Sequence, residues 1–345
     1  MRVDLFDYHL PPALIAQAPV RPRDAARLLL VDERPLREMA VRDLPTLLSP
    51  GDLLVLNDTR VLPTRFAARR DAVAVEVTLI ERIDGSTWWA LARPGKRLRV
   101  GDPVELAPGL MAEVLGRDRD GRVRLGFTLA GDELIAAVRA CGAMPLPPYI
   151  RRPRGGDVRD AADYQTVFAR RDGAVAAPTA SLHLTEDLLA RLDAAGVERT
   201  FVTLHVGAGT FAPVKTADTA QHVMHAEWCE VPEPAAAAIA AARARGGRIV
   251  AVGTTVLRTL ETRATAEGGV EAGSGMTRLF ITPGYRFRAT DLLLTNFHLP
   301  RSTLVMLVAA FAGLERVRAA YAHAIRARFR FFSYGDACLL TRASP

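Results

Sequence analysis

Several short segments carry the side chains that could do chemistry. Asn57-Asp58-Thr59-Arg60 follows a short apolar run and holds more donors and acceptors than a turn needs. It stands where open α/β sheets bind ligands, just past a strand end. Gly253-Thr254-Thr255 also follows a strand and opens a helix, so its amides and hydroxyls suit a carboxylate, ribose or phosphate. An ordinary hydroxyl cap is the plainer alternative. Arg258 and Glu261 lie one turn apart on that helix, equally suited to a surface ion pair or a site pair. Thr295-Asn296-Phe297-His298-Leu299-Pro300 packs an amide, a ring and an imidazole into one loop. Phe331-Phe332-Ser333-Tyr334-Gly335-Asp336 sets three aromatics beside a carboxylate, which fits a cation or a stacked base.

The run Gly207-Ala-Gly209-Thr210-Phe-Ala212 formally matches a dinucleotide-binding pattern. Such a loop must open a helix, but Pro213 and Val214-Lys215-Thr216 give no helical period, so its glycines are better used for close approach to a ligand. Lys215 is one of two lysines, with Lys96, and is a candidate point charge for phosphate or carboxylate. His222-Val-Met-His225 with Glu227 and His205 could be drawn as a metal site. The spacing lacks a zinc-helix geometry, and a polar pocket wall is the preferred reading; no metal is expected.

Elements must position these groups. Asp52–Leu56 is the first clear strand, bounded by Pro50-Gly51 and Asn57-Asp58. From 65 to 129 short alternating runs with turns between them signal a small barrel or sandwich: 73–80, 88–92, 103–106, 111–115 and 122–128. Asp132 caps a helix to Ala140, and Met144-Pro-Leu-Pro-Pro-Tyr-Ile150 is an extended linker. Beyond it helices (186–195, 234–245) alternate with apolar strands (200–206, 248–252), and 288–296 and 304–311 continue that alternation. The expected fold class is α/β: a three-layer α/β domain made by both chain ends (1–62 and 144–345), with a small antiparallel β-barrel inserted at 63–143.

The 345 residues are 49% hydrophobic and 24% charged, which supports a folded chain large enough for two domains. Net charge +7 admits anionic partners, although the arginine excess fits a coding bias better than RNA chemistry. Cys141, Cys229 and Cys338 are too scattered for a disulfide framework or a metal knuckle. The apolar run Leu304–Leu314 falls far short of the ~20 residues a spanning helix needs. Asp4, Asp7 and His9 stand where a signal peptide would be apolar, so a cytoplasmic protein with no membrane association is expected.

Taken together the segments resemble one family, the S-adenosylmethionine:tRNA ribosyltransferase-isomerases of queuosine synthesis. The likeness rests on Phe6-Asp7-Tyr8-His-Leu-Pro11, Gly51–Arg60, Met144–Ile150, Tyr164–Phe168, Gly173–Ala180 with His183, Val202–Phe211, Val252–Thr255 with Arg258, Thr295–Pro300 and Phe331–Asp336. Ser181, Leu184 and Val256 depart from the family's usual residues. The resemblance implies a cytoplasmic enzyme, needing no cofactor, that moves and rearranges the ribosyl part of S-adenosylmethionine onto 7-aminomethyl-7-deazaguanine at a tRNA wobble position. Epoxyqueuosine-tRNA, adenine and methionine are the implied products, S-adenosylmethionine and that tRNA the partners, and a monomer the expected state.

A sulfonium acidifies its neighbouring 5′-CH₂, so the chemistry wants a base with a pKa near neutral. His205, His225 and His298 are the candidates, with Asp58 or Asp336 to face the sulfonium. Substrate contacts are expected from Asn57, Thr59, Arg60, Thr179, His183, Gly207, Gly209, Thr210, Lys215, Asn296 and Tyr334, with Thr254, Thr255 and Arg258 on the methionine carboxylate or ribose. Arg93, Lys96, Arg97 and Arg99 supply four cations in seven residues for RNA. Two rivals remain: a non-catalytic RNA-binding protein, which releases no adenine, and a methyltransferase, which yields S-adenosylhomocysteine and wants a glycine-rich loop leading into a helix.

Overall fold

Runs such as Leu53-Leu-Val-Leu-Asn57 and Ile249-Val-Ala-Val252 are buried at every position, as strands covered on both faces must be. The computed structural model describes residues 1–32, 35–152, 157–207, 214 and 216–343. In chain order its strands are β1 (Arg27–Val31), β2 (Arg37–Ala40), β3 (Leu53–Asn57), β4 (Thr59–Val61), β5 (Arg65–Arg70), β6 (Val73–Arg82), β7 (Thr87–Arg93), β8 (Pro103–Ala107), β9 (Leu110–Arg117) and β10 (Val123–Phe127). They continue as β11 (Arg171–Ala174), β12 (Glu198–Leu204), β13 (Glu227–Val231), β14 (Ile249–Val252), β15 (Gly273–Thr277), β16 (Leu292–Asn296) and β17 (Ala337–Thr341). The helices are α1 (Gly131–Cys141), α2 (Asp160–Asp163), α3 (Glu186–Ala194), α4 (Glu233–Ala244), α5 (Thr254–Thr262), α6 (Thr303–Ala312) and α7 (Leu314–Arg326).

A nine-stranded sheet runs β15-β13-β12-β3-β14-β16-β17-β1-β2. Strands β12, β3, β14 and β16 are mutually parallel, and β17 runs antiparallel to β16. Consequently Asn57, Leu204, Val252 and Asn296 finish at one edge, where β17 begins. One face of the sheet packs on α4, α5, α6 and α7, the other on α3 and the turns around it, giving three layers. Helix α6 is apolar almost throughout because it is buried almost throughout. A second body is a closed six-stranded antiparallel barrel, β10-β7-β6-β5-β8-β9, whose alternating strands fill its interior with Val77, Leu79, Val104, Val114 and Leu125. The α/β fold with an inserted antiparallel barrel is therefore as expected.

Three local readings differ. The sheet already contains β1 and β2 ahead of 52, and its C-terminal strand β17 follows the aromatic loop; each is a short run whose role comes from sheet neighbours rather than from its own pattern. The segment 288–296 is strand only from Leu292. Asp132 does not cap α1: the cap residue is Ala130, and Asp132 sits in the first turn, where its charge meets the helix dipole. Thr185 does cap α3, accepting from the Leu188 amide at 3.1 Å.

The chain enters and leaves the barrel through one seam, where Arg65 and Ala143 exchange backbone hydrogen bonds of 3.0 and 2.8 Å. A Cβ placed on Gly142 would stand 1.6 Å from the Pro63 carbonyl oxygen, so only glycine lets the two crossings touch. Gly142→Ala is expected to lower stability by about 2 kcal/mol or more, within the range for steric conflict, read as a drop in urea midpoint.

Candidate functional site

At the carboxyl edge of the parallel strands lies a narrow cleft of about 40 Å³. Thr179, Thr254, Thr255, Asn296 and His298, singled out from sequence, all line it, although they come from three separate stretches of chain. Tyr149, Ala177, Val206, Phe332 and Ser333 complete much of the wall. The lining among the described residues has no Asp, Glu, Lys or Arg.

The α5 end of the cleft is built by Gly253, whose φ of +94° suits glycine. It leaves the helix without a side-chain cap. The Thr255 hydroxyl instead receives the Asn57 amide at 3.3 Å. The first-turn amides of α5 thus face the cleft side as donors for an anion. Asn57 is a brace: its amide nitrogen also donates to the Leu204 carbonyl (3.0 Å), and its oxygen accepts from the Leu204 and Thr59 amides, both at 3.1 Å. All its capacity on described partners goes into joining β3, β4, β12 and α5.

Asn296 plays the same part at the other end. Its oxygen accepts from the Thr179 hydroxyl at 3.0 Å, and its nitrogen reaches the Phe332 carbonyl and His183 Nε2, each at 3.2 Å. Phe332 has φ +71°, a left-handed backbone that costs an ordinary residue about 1–2 kcal/mol. The fold holds it there through that Asn296 contact and through the Phe332 amide on the Phe297 carbonyl, 3.0 Å. The ring lies 4.8 Å from Tyr149, tilted by 54°, and the Tyr149 hydroxyl meets Ser333 at 2.7 Å.

The imidazoles separate by environment. His298 lines the cleft with Nε2 on the Thr295 hydroxyl (2.9 Å), and burial pulls its pKa down to about 3. His183 is buried behind Asn296, and burial with the nearby Arg330 and Arg23 charges lowers it to about 4. His205 is half-buried, its Nδ1 on the Thr59 hydroxyl at 2.8 Å and its ring stacked on Trp228 at 5.1 Å. Burial, then the Arg171 charge, lowers its pKa. Gly173 makes room for it, since a Cβ there would come within 2.8 Å of the ring.

Other candidates are placed differently from expectation. His225 is exposed on the extended stretch before β13 and does not line the cleft. The Asp58 carboxylate is closed off by the Thr203 hydroxyl (2.6 Å) and Arg170 (2.8 Å), and that of Asp336 by the Arg27 and Arg330 amides (3.1 and 2.7 Å). Asp58 is held by side chains and Asp336 by backbone amides, and neither lines the cleft. Arg258 is 4% exposed, pairs with Glu227 and donates to the Leu279 carbonyl, and it does not line the cleft. Glu261 is not its partner; it accepts the amides of Arg288, Ala289 and Thr290. Gly207 donates to Glu227 at 2.9 Å, which uses the carboxylate once drawn toward a metal. Among the described residues no three His, Cys, Asp or Glu side chains converge as a metal needs.

Tyr334 packs edge-on to Tyr164 at 6.0 Å, away from the cleft lining. Arg60 donates to the Ala169 carbonyl at 2.8 Å. Gly209, Thr210 and Lys215 lie outside the described residues. Arg93, Lys96, Arg97 and Arg99 are all exposed at the β7 end of the barrel, without an ion pair among the described residues.

Residues 3–340 match the family model described as queuosine biosynthesis protein. The chain belongs to this family. It is 57% identical over 351 residues to the S-adenosylmethionine:tRNA ribosyltransferase-isomerase of Maricaulis maris, with 99% of each chain covered. A Methylobacterium relative of the same name is 58% identical, again at 99% of each. Among solved structures, the S-adenosylmethionine tRNA ribosyltransferase of Thermotoga maritima is 39% identical with a TM-score of 0.56, covering 97% of this chain and 99% of that one. Tyr149, Phe332 and Ser333 were not singled out individually as site residues from sequence. A tyrosine in a proline-rich linker and a second phenylalanine in a pair show nothing unusual until a backbone dihedral turns one of them toward the cleft.

The two buried imidazoles set an acid limit. Their folded pKa values lie below the ~6.5 of free imidazole, so their contribution is full above pH 6.5 and shrinks as pH falls toward about 4 for His183 and 3 for His298. By pH 5 each is expected to cost about 2 kcal/mol, at ~1.4 kcal/mol per pH unit. His183→Asn and His298→Asn should each flatten the stability slope between pH 6.5 and 5 in urea titrations; an unchanged slope in both refutes their neutral burial.

Proposed function

We propose that this chain transfers and isomerises the ribosyl group of S-adenosylmethionine onto 7-aminomethyl-7-deazaguanine at a tRNA wobble position, giving epoxyqueuosine-tRNA with release of adenine and methionine. The observation that carries this reading is the convergence of Thr179, Thr254, Thr255, Asn296 and His298 on one cleft, in a chain 57% identical across nearly its whole length to a relative of that name. The sulfonium supplies its own driving force, so the reading needs no metal or other cofactor, and its tRNA substrate places the work in the cytoplasm.

The uncapped amides of α5, with Thr254 and Thr255, receive the methionine carboxylate. His205 is the base. Its Nδ1 is fixed by Thr59, its Nε2 has no hydrogen bond among the described residues, and its lowered pKa keeps it unprotonated at neutral pH. His298 is nearer the cleft wall, but an imidazole with a pKa near 3 and its Nε2 tied to Thr295 is a poor acceptor. His205 takes a 5′-CH₂ proton to give the ylide, whose electron pair forms C4′=C5′ as the C4′–O4′ bond breaks; O4′ closes a carbonyl on C1′, adenine leaves with the glycosidic electron pair and takes up a proton, and the aminomethyl nitrogen attacks the vinyl sulfonium that remains. Reorganisation of the ribosyl carbons, with departure of methionine, closes the epoxide. The protein's work is to hold this geometry and to exclude water.

One incubation with S-adenosylmethionine and the modified tRNA tests the assignment. Adenine and methionine are expected; S-adenosylhomocysteine would mean methyl transfer, and no turnover would mean binding alone. His205→Ala is expected to slow adenine release by about 100-fold or more, the usual contribution of a general base, and His298→Ala by far less. The reverse order would move the base to His298.

The wobble base sits in a single-stranded loop that can be splayed into the cleft at little cost. Arg93, Lys96, Arg97 and Arg99 then contact phosphates. Replacing all four with alanine should reduce the slope of log affinity against log salt by about 3, at ~0.7–0.9 per phosphate contact, in filter-binding titrations. An unaltered slope removes the patch from the interface.

A further inference from the structure

His205 is held on both faces of its ring and at one nitrogen. The ring stacks on Trp228, with centroids 5.1 Å and planes 19° apart, and the His205 amide donates to the Trp228 carbonyl at 3.0 Å. A Cβ on Gly173 would lie 2.8 Å from Cε1 and Nε2 and 2.9 Å from Cδ2, a place over the ring and not at its rim, so Gly173 closes the face that Trp228 leaves. Rotation within this slot is set by Nδ1, which meets the Thr59 hydroxyl at 2.8 Å. Asn57 frames that contact. Its Oδ1 accepts the amides of Thr59 and Leu204, both at 3.1 Å, so one atom registers Thr59 against the residue before His205.

We propose that Thr59 is a positioning residue that fixes the tautomer of His205: Nδ1 carries the hydrogen and donates it to Thr59 Oγ1, Thr59 donates its own to the Arg171 carbonyl, and Nε2 keeps a free lone pair. This rests on the reading of His205 as the base and adds what makes one of its nitrogens the acceptor. The Arg171 carbonyl stands 3.5 Å from Oγ1, and the hydroxyl can use it only while Nδ1 does the donating. Both hydrogens of the pair then have acceptors. In the other tautomer Thr59 would donate to Nδ1, the Arg171 contact would be given up, and the Nε2–H would have no acceptor among the described residues. When Nε2 takes the 5′-CH₂ proton, the Nδ1–H bond to Thr59 becomes charge-assisted and stays in place, so no group has to turn during the step.

The charges facing the ring are Arg171 from β11, Asp58 from the β3–β4 junction and Glu230 from β13; the first opposes an imidazolium and the two carboxylates favour it. Thr59→Val replaces a hydroxyl by a methyl in a side chain that is 0% exposed, and leaves those charges as they are. Nitrogen NMR of histidine-labelled enzyme, with the His205 signals assigned by their loss in His205→Ala, is expected to show Nδ1 protonated and Nε2 unprotonated at neutral pH in the wild type. Thr59→Val should give a mixture of tautomers and lower kcat about tenfold, the low end for an outer partner of a histidine, with the KM for S-adenosylmethionine unchanged. The acid limb of kcat/KM should move to lower pH, because the imidazolium loses the acceptor of its Nδ1–H. Thr59→Ser should restore all three.

A wild-type ring protonated on Nε2 overturns the inference. So does an acid limb that moves to higher pH in Thr59→Val, since the hydroxyl would then be donating to the neutral ring. Equal loss in Thr59→Ser assigns the effect to packing and overturns it as well. If Thr59→Val fails to melt cooperatively, the wild-type spectrum decides alone. The base itself is tested separately: unchanged adenine release in His205→Ala removes that reading, while the nitrogen spectrum still reports the tautomer.

Discussion

A buried amide must find partners for both its ends, and Asn296 finds them on two other stretches of chain, which with its own makes three. Thr179 and His183 belong to the turn after β11, Phe332 to the loop before β17, and Asn296 itself ends β16. Leaving any of these groups unpaired would cost about 1–3 kcal/mol in so enclosed a place, so the three stretches hold one register or lose several contacts together. The cleft is the space this register leaves. Asn57 repeats the device at β3, tying β12 and the first turn of α5, and the two asparagines set the ends of the cleft.

The parallel sheet explains why such scattered segments meet. Four strands running one way bring their last residues to one edge, whatever the distance between them in sequence. That much could be reasoned from Leu53–Leu56, Ile249–Val252 and Leu292–Leu294, because buried parallel strands are apolar throughout and the polar cluster after each marks its end. The barrel was equally legible, since alternation and turn residues are local signals. What sequence could not show was direction. Asp58, Asp336 and Arg258 have the right types at the right strand ends, yet their charged groups point to Thr203, to the Arg27 amide and to Glu227. Side-chain orientation is decided by partners supplied from elsewhere in the fold. Strands β1 and β17 escaped for the same reason, being defined by their neighbours in the sheet.

Histidine behaviour divides along the same line. Three imidazoles near the edge are equivalent as letters, but burial separates them into His183 and His298, held neutral far into acid, and His205, half-buried and lowered by burial and the Arg171 charge. The first two serve as fixed hydrogen-bonding groups, His298 on Thr295 and His183 on Asn296.

The neutrality of the cleft bears on catalysis. Among the described residues, the carboxylates of Asp58, Asp336, Glu227 and Glu261 are held by guanidinium groups, a hydroxyl or backbone amides, and none lines the cleft. In the reading proposed above, a sulfonium entering this cleft meets hydroxyls, an amide and aromatic rings, with no carboxylate among the described lining residues. A carboxylate beside it would stabilise the bound donor and its acidified 5′ proton together, deepening the ground state and removing part of the reason for the proton to leave. Aromatic faces hold a cation more weakly, by about 0.5–2 kcal/mol. The positive charge therefore keeps its pull on the neighbouring C–H bonds until the ylide forms. An enzyme that spends the sulfonium's own energy on the reaction has reason to leave that charge unpaired, and the orientation of its buried carboxylates achieves this.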